Sequence, residues 1–199
     1  MSYNSYMTVC RKTKSFFVAI LLLVSVLGFS QNTLDKLGLT SATTTSAVFS
    51  LRKLSTNYTG SAIRVRRSSD NTELNIGFDA SGNLNETDLT TFVGSGSGFV
   101  SIWYDQSGNG KDAVQTTAAY QPNIVLNGTV QKTNGRPTII FQNTTQHLAG
   151  SSSITVMSIN AVRDVKNYPA SGGSRGLFSM PHNGDGSQLR LKTGLAYYG

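Results

Sequence analysis

Residues 99–110 read Phe99-Val-Ser-Ile-Trp-Tyr-Asp-Gln-Ser-Gly-Asn-Gly110, and this stretch decides the fold class. Its first half is β-branched and aromatic, with no residue that breaks a strand. Side chains of a strand alternate between its two faces. Val100, Ile102 and Tyr104 are therefore expected on one face, and Phe99, Ser101 and Trp103 on the other. The second half contains only turn-forming and polar residues, so the strand ends at once in a tight loop.

The same pattern recurs on both sides. Ile63 and Val65 mark a strand, as do residues 76–78. Further strands are expected at 124–126, 138–141, 154–162, 177–180, 189–191 and 195–198. Asn-Gly pairs at 127, 134 and 183 separate several of them, and that dipeptide favours type I′ hairpin turns. Two short helices near the N-terminus interrupt the pattern. The first follows Thr45-Ser46 as cap, places Val48, Leu51 and Leu54 on one side, and ends at residues 57–60. The second covers 85–92, with Leu89 and Phe92 one turn apart. Residues 94–98 form a flexible break, and there is no internal repeat. Many short strands with frequent turns specify an all-β sandwich or barrel.

The beginning of the chain has a different character. Arg11, Lys12 and Lys14 precede an apolar run over 16–27, and the small residues Gly28 and Ser30 precede Gln31. That order predicts a signal peptide over residues 1–30. A membrane-crossing helix needs roughly 20 apolar residues, more than this run supplies. Residues 31–45 then read as a polar lead-in, and 46–199 as the domain. The lone cysteine, Cys10, precedes the apolar run, so the exported chain is expected to carry no disulfide or thiolate metal site. The chain stops at Gly199 inside a strand-like stretch, which predicts the N-terminal part of a longer protein with further domains.

Charge excludes one class of partner. The formal charge is +7, and the signal removes three positives, leaving about +4 in scattered residues. Arg64, Arg66 and Arg67 form the single basic cluster, with Arg64 and Arg66 on one strand face and Arg67 on the other. A solvated strand edge explains them, so no nucleic-acid partner is expected. No membrane partner is expected after signal cleavage. Asn-x-Ser/Thr acceptor patterns begin at Asn57, Asn85, Asn127 and Asn143.

Several residues could carry chemistry. Asp105, Ser107, Asn109 and Asp112 resemble a calcium loop, with oxygen ligands at positions 1, 3 and 5 and Gly110 at 6. Position 12 is Thr116 rather than a bidentate Glu. The alternative is a tight loop in which Asp and Asn side chains satisfy backbone amides. Trp103, Tyr104 and Asp105 are candidate sugar contacts, because aromatic faces stack on sugar rings and carboxylates accept hydroxyl hydrogen bonds. Trp103 and Tyr104 fall on opposite faces, so at most one meets a ligand and the other packs in the core. His147 and His182 stand alone in turn-like contexts, and no nucleophile elbow occurs. Glycoside hydrolysis needs a pair of carboxylates. Asp105, Asp112, Asp164 and Asp185 lie in the second half, and none has a local context that marks it as catalytic.

Three stretches resemble the catalytic domain of the α-L-arabinofuranosidase B family, glycoside hydrolase family 54. They are Ala47-Val-Phe-Ser-Leu-Arg-Lys-Leu54, Tyr58-Thr-Gly-Ser-Ala-Ile-Arg-Val-Arg-Arg-Ser-Ser-Asp-Asn71 and Trp103-Tyr-Asp-Gln-Ser-Gly-Asn-Gly110. Gln121-Pro122 and Asn134-Gly-Arg-Pro137 also resemble this family and its bacterial relatives. The resemblance implies a concanavalin-like β-sandwich of jelly-roll type. It implies a secreted, retaining hydrolase that removes terminal arabinofuranosyl groups from plant polysaccharides, with polysaccharide as partner and no cofactor. A Glu nucleophile and an Asp acid/base would stand roughly 5 Å apart. They belong to the later part of such a domain and are expected beyond residue 199, so no catalytic residue is assigned and residues 31–199 alone are expected to be inactive. The family's cysteine pair near the substrate has no counterpart after Cys10. The alternative is a non-catalytic laminin-G-like or concanavalin-like module for glycan binding or adhesion.

Overall fold

The computed structural model describes residues 32–39, 45–143 and 145–150. The signal segment, residues 31 and 40–44 of the lead-in, and the strands expected after residue 150 lie outside the described residues.

The described chain is all-β with short helices. Helix α1 is Thr33–Leu37 and α2 is Glu86–Val93. The strands are β1 Ile63–Arg67, β2 Glu73–Ile76, β3 Gly98–Trp103, β4 Ala113–Val114, β5 Asn123–Leu126, β6 Thr129–Val130, β7 Lys132–Thr133, β8 Arg136–Pro137 and β9 Ala149–Gly150. A 3₁₀ turn spans Ala118–Tyr120. The main sheet has seven strands in the order β2-β1-β3-β4-β9, and β5 with β6 branches from β3; β7 and β8 form a separate two-stranded ribbon. Every pairing is antiparallel.

One face of the sheet is the core. Ile63, Val65, Ile76, Val100, Ile124 and Val125 are buried there beneath Leu84 and the α2 residues Leu89 and Val93. Full burial of such side chains contributes roughly 1.5–3 kcal/mol each. Helix α2 forms where the cap-type residues predict it. The Asn85 side chain accepts from the Asp88 amide, and Leu89 and Val93 supply the apolar stripe.

Several expectations are corrected. The helix expected after Thr45-Ser46 is absent: residues 47–54 run extended and irregular, with one bridge from Arg52 to Asn83. Side chains of the 105–112 loop hold that backbone, as set out below. A helix does form inside the lead-in, as α1, closed by Gly38 at φ 66°. The strand expected at 76–78 ends at Ile76, and Phe78 bridges Leu84 instead. The strand expected at 138–141 is reduced to a bridge between Ile140 and Asn123.

A further correction concerns faces. Ile63 pairs with Trp103 and Val65 with Val100, so the register skips Ser101. This bulge breaks the period of two. Directly paired residues share a face. Trp103 therefore joins Val100 on the core face, while Phe99 joins Ile102 on the outer face with Arg64 and Arg66. Nor is β1 an edge strand, since β2 and β3 flank it. Arg64 and Arg66 lie in mid-sheet, where hydrogen bonds and a ring face hold them.

Candidate functional site

The 105–112 loop joins β3 to β4 and is held by its own side chains. The Asp105 carboxylate is 4% exposed. One oxygen accepts from the Val48 and Ser107 amides, each at 2.8 Å. The other accepts from the Ser107 hydroxyl at 2.7 Å and the Lys111 amide at 3.1 Å. Asp112 accepts from the Asp105 amide at 2.9 Å. The Asn109 side-chain amide donates to the carbonyls of Thr45 and Ser46. The four residues suggested by the calcium pattern are thus turned on backbone amides and carbonyls. Four donors already occupy Asp105, the strongest ligand of the set. The tight-loop alternative describes the observed geometry. Among the described residues, no group of three or more His, Cys, Asp or Glu could hold a metal ion.

Gln106, which sequence reasoning passed over, completes the loop. Its carbonyl oxygen accepts from the Leu54 amide at 2.9 Å, and its amide nitrogen donates to the carbonyls of Ser50 and Arg52. Its backbone donates to Val48. One buried glutamine thus satisfies backbone groups of Ser50, Arg52 and Leu54, in a segment bridged otherwise from Arg52 to Asn83. No local pattern marks this role, because its partners lie over fifty residues away.

The three candidate sugar contacts are not brought together. Trp103 packs under the sheet with its ring 5.7 Å from that of Phe49, and its indole nitrogen is buried without a partner. Asp105 is buried as described. Tyr104 is half-buried and turned to the outer face. Its hydroxyl donates to the Asn75 side-chain oxygen at 2.8 Å, and Arg64 Nε donates to the same oxygen at 2.8 Å. Asn75 is exposed, so this trio of aromatic ring, amide and guanidinium is reachable from solvent.

Next to it, the Arg66 guanidinium lies 4.8 Å from the Phe99 ring centre and donates to Gln121 and Asn71. Gln121 in turn donates to the Gln115 carbonyl. The Gln115 side-chain oxygen accepts from the Thr117 amide, so its nitrogen faces His147 Nε2 at 2.9 Å. The other ring nitrogen, Nδ1, faces the Thr145 carbonyl at 2.8 Å. The outer face therefore carries two hydrogen-bonded polar groups, Tyr104–Asn75–Arg64 and Arg66–Gln121–Gln115–His147, the second beside the Phe99 ring. Tyr58 lies behind the loop, donating to the Ser61 carbonyl. Burial, with the negative charges of Asp112 and Asp105, pushes its phenol up to about 12.

Residues 38–156 match the family model for the catalytic part of α-L-arabinofuranosidase B, which is more than half of the 199 residues. The chain belongs to this family. Arabinofuranosidase structures are similar to this chain over a shorter stretch. They include a family 54 α-L-arabinofuranosidase soaked with a cyclic sulfate inhibitor and an arabinofuranosidase complexed with arabinofuranosyl-α-1,2-xylobiose. Each is 32% identical over 35% of this chain and 15% of its own, with a TM-score of 0.33. The aligned part thus spans a small fraction of those arabinofuranosidases, and family membership rests on the sequence match. No curated protein matches the chain. The matched region contains both the 105–112 loop and the Tyr104–Asn75–Arg64 trio.

Proposed function

We propose that this chain is the N-terminal part of a secreted α-L-arabinofuranosidase that releases terminal arabinofuranosyl groups from plant polysaccharides with retention of configuration. The family match over residues 38–156 carries this reading. A concanavalin-like sandwich of jelly-roll type goes with it, as do further domains beyond Gly199. The signal pattern of residues 1–30 supports export. Among the described residues, no helix is long and apolar enough to cross a membrane.

The described part supplies scaffold and glycan contacts rather than the reacting carboxylates. Asp35 is held by Ser55 and Thr56, Asp70 by Arg67, Asp79 by turn amides, Asp88 by Asn85, and Glu86 by Lys132. Asp105 and Asp112 belong to the loop. A retaining pair needs two carboxyl groups facing one sugar. We therefore assign the glycan contact to Tyr104, Asn75 and Arg64, and assign no catalytic residue.

Two measurements test this. The purified chain should release no nitrophenol from a nitrophenyl arabinofuranoside, while the longer natural reading frame should. Activity in the chain alone, or none in the longer protein, overturns the reading. In pull-downs with arabinoxylan, Tyr104→Ala and Arg64→Ala should each weaken retention several-fold, by about 1 kcal/mol or more. Seven of the eight described carboxylates are engaged, the exposed Glu73 being the exception, and this favours a second reading, a non-catalytic glycan-binding or adhesion module. Glycan binding without arabinose release by the longer protein would select it.

A further inference from the structure

We infer that Asn134-Gly135 is a site of spontaneous, non-enzymatic deamidation, and that the fold withholds the same reaction from Asn109-Gly110 and Asn127-Gly128. In this chemistry the backbone nitrogen of the glycine attacks the asparagine Cγ. A C–N bond forms, ammonia leaves, and a five-membered succinimide results. Water then opens either carbonyl, giving an aspartyl or an isoaspartyl residue. The only co-reactant is water. The reaction needs a free glycine N–H, an unheld asparagine amide, and a backbone able to leave its turn geometry.

Three described Asn-Gly pairs differ in these respects. At Asn109-Gly110 the asparagine amide is tied to two carbonyls, those of Thr45 at 2.7 Å and Ser46 at 3.1 Å. At Asn127-Gly128 the nucleophile itself is occupied. The Gly128 N–H donates to the Gly96 carbonyl at 2.6 Å, and the Asn127 N–H donates to the Ser97 hydroxyl at 3.2 Å. That turn also sits tightly on the chain below it. A Cβ on Gly128 would fall 3.3 Å from the Gly94 carbonyl oxygen and from Ser95 Cα. Both pairs can react only after these contacts open.

Asn134-Gly135 has none of these restraints. Both residues are exposed, and neither the Asn134 side chain nor the Gly135 N–H makes a hydrogen bond. A Cβ on Gly135 would meet nothing within 4 Å. Both residues have left-handed backbone, at φ 51° and 75°, the conformation of a type I′ turn. The ribbon around them is two residues per strand and separate from the main sheet, so it opens without disturbing the core. The product places a carboxylate between Lys132 and Arg136. The isoaspartyl form also adds a backbone methylene, which breaks the two-residue register of β7 and β8.

The test uses the full chain and trypsin. The three pairs fall in different tryptic peptides, 68–111, 112–132 and 133–163, the last because Arg136 precedes Pro137. The protein is aged at mildly alkaline pH, once folded and once in denaturant, and the amide-to-carboxylate mass change in each peptide is followed. The expected result is that Asn134 reacts at nearly the same rate in both states. Asn109 and Asn127 should react roughly tenfold or more slowly when folded, the cost of local opening. Equal rates at all three sites in the folded protein, or protection of Asn134 equal to that of Asn127, would overturn the inference.

Discussion

Asp105 and Gln106 each hold several backbone groups at once, which makes them the residues whose loss should be felt most. Asp105→Ala strips acceptors from three backbone amides and a hydroxyl. A buried unsatisfied donor costs about 1–3 kcal/mol, so we expect a loss of roughly 3 kcal/mol or more in urea melts. Asp105→Asn keeps one acceptor oxygen and should cost less, about 1–3 kcal/mol. Tyr58 gives the pH dependence. Its folded-state pKa lies above the ordinary value of 10, at about 12. The contribution of the neutral phenol is therefore whole below pH 10 and is lost as the pH rises through 12. Two units would amount to about 2.7 kcal/mol at most, and the half-exposed ring reduces this to about 1 kcal/mol. Tyr58→Phe should remove that alkaline decline in denaturation curves measured across the window. The Gly- and Asn-containing run after Tyr104 was legible in the sequence as a turn. What its side chains hold was not, because Val48 and Leu54 are more than fifty positions away.

At the scale of elements, α2 and the β1–β3 pair carry the core. The cap at Asn85 should be worth about 1 kcal/mol, so Asn85→Ala should lower the melting temperature by a few degrees. Gly98 shows how closely α2 is seated. A Cβ there would lie 2.9 Å from Val93 Cγ2 and 3.1 Å from Val65 Cγ1. Gly98→Ala should therefore destabilise the protein by about 1–3 kcal/mol through overpacking, measurable in the same melts. Helix α2 was readable because its cap, its spacing and its length all agree locally. The segment 47–54 shows the opposite case. Its helical spacing of Val48, Leu51 and Leu54 is real, but a helix would need its amides and carbonyls for itself, and the neighbouring loop takes several of them. The bulge at Ser101 is likewise invisible locally, since it is a mismatch between two strands rather than a property of either.

For the whole molecule, two sheet faces have separate tasks. The inner face stabilises, and the outer face presents Tyr104, Asn75 and Arg64 beside the Arg66–Phe99 stack. Substitutions on the outer face should change glycan retention with little effect on melting. The amino-acid sequence by itself determined the all-β class, the position of α2, the turn at residues 105–110 and the family. These rest on local periodicity, turn chemistry and short motifs, which the chain carries wherever it folds. Only the tertiary structure decided that Trp103 belongs to the core and Tyr104 to the outer face beside Arg64. It also decided that Asp105 is a buried acceptor and that Asn134 alone of three described Asn-Gly pairs is unrestrained. Each of these depends on strand register and on hydrogen bonds between distant segments, and such pairings exist only once the sheet has formed.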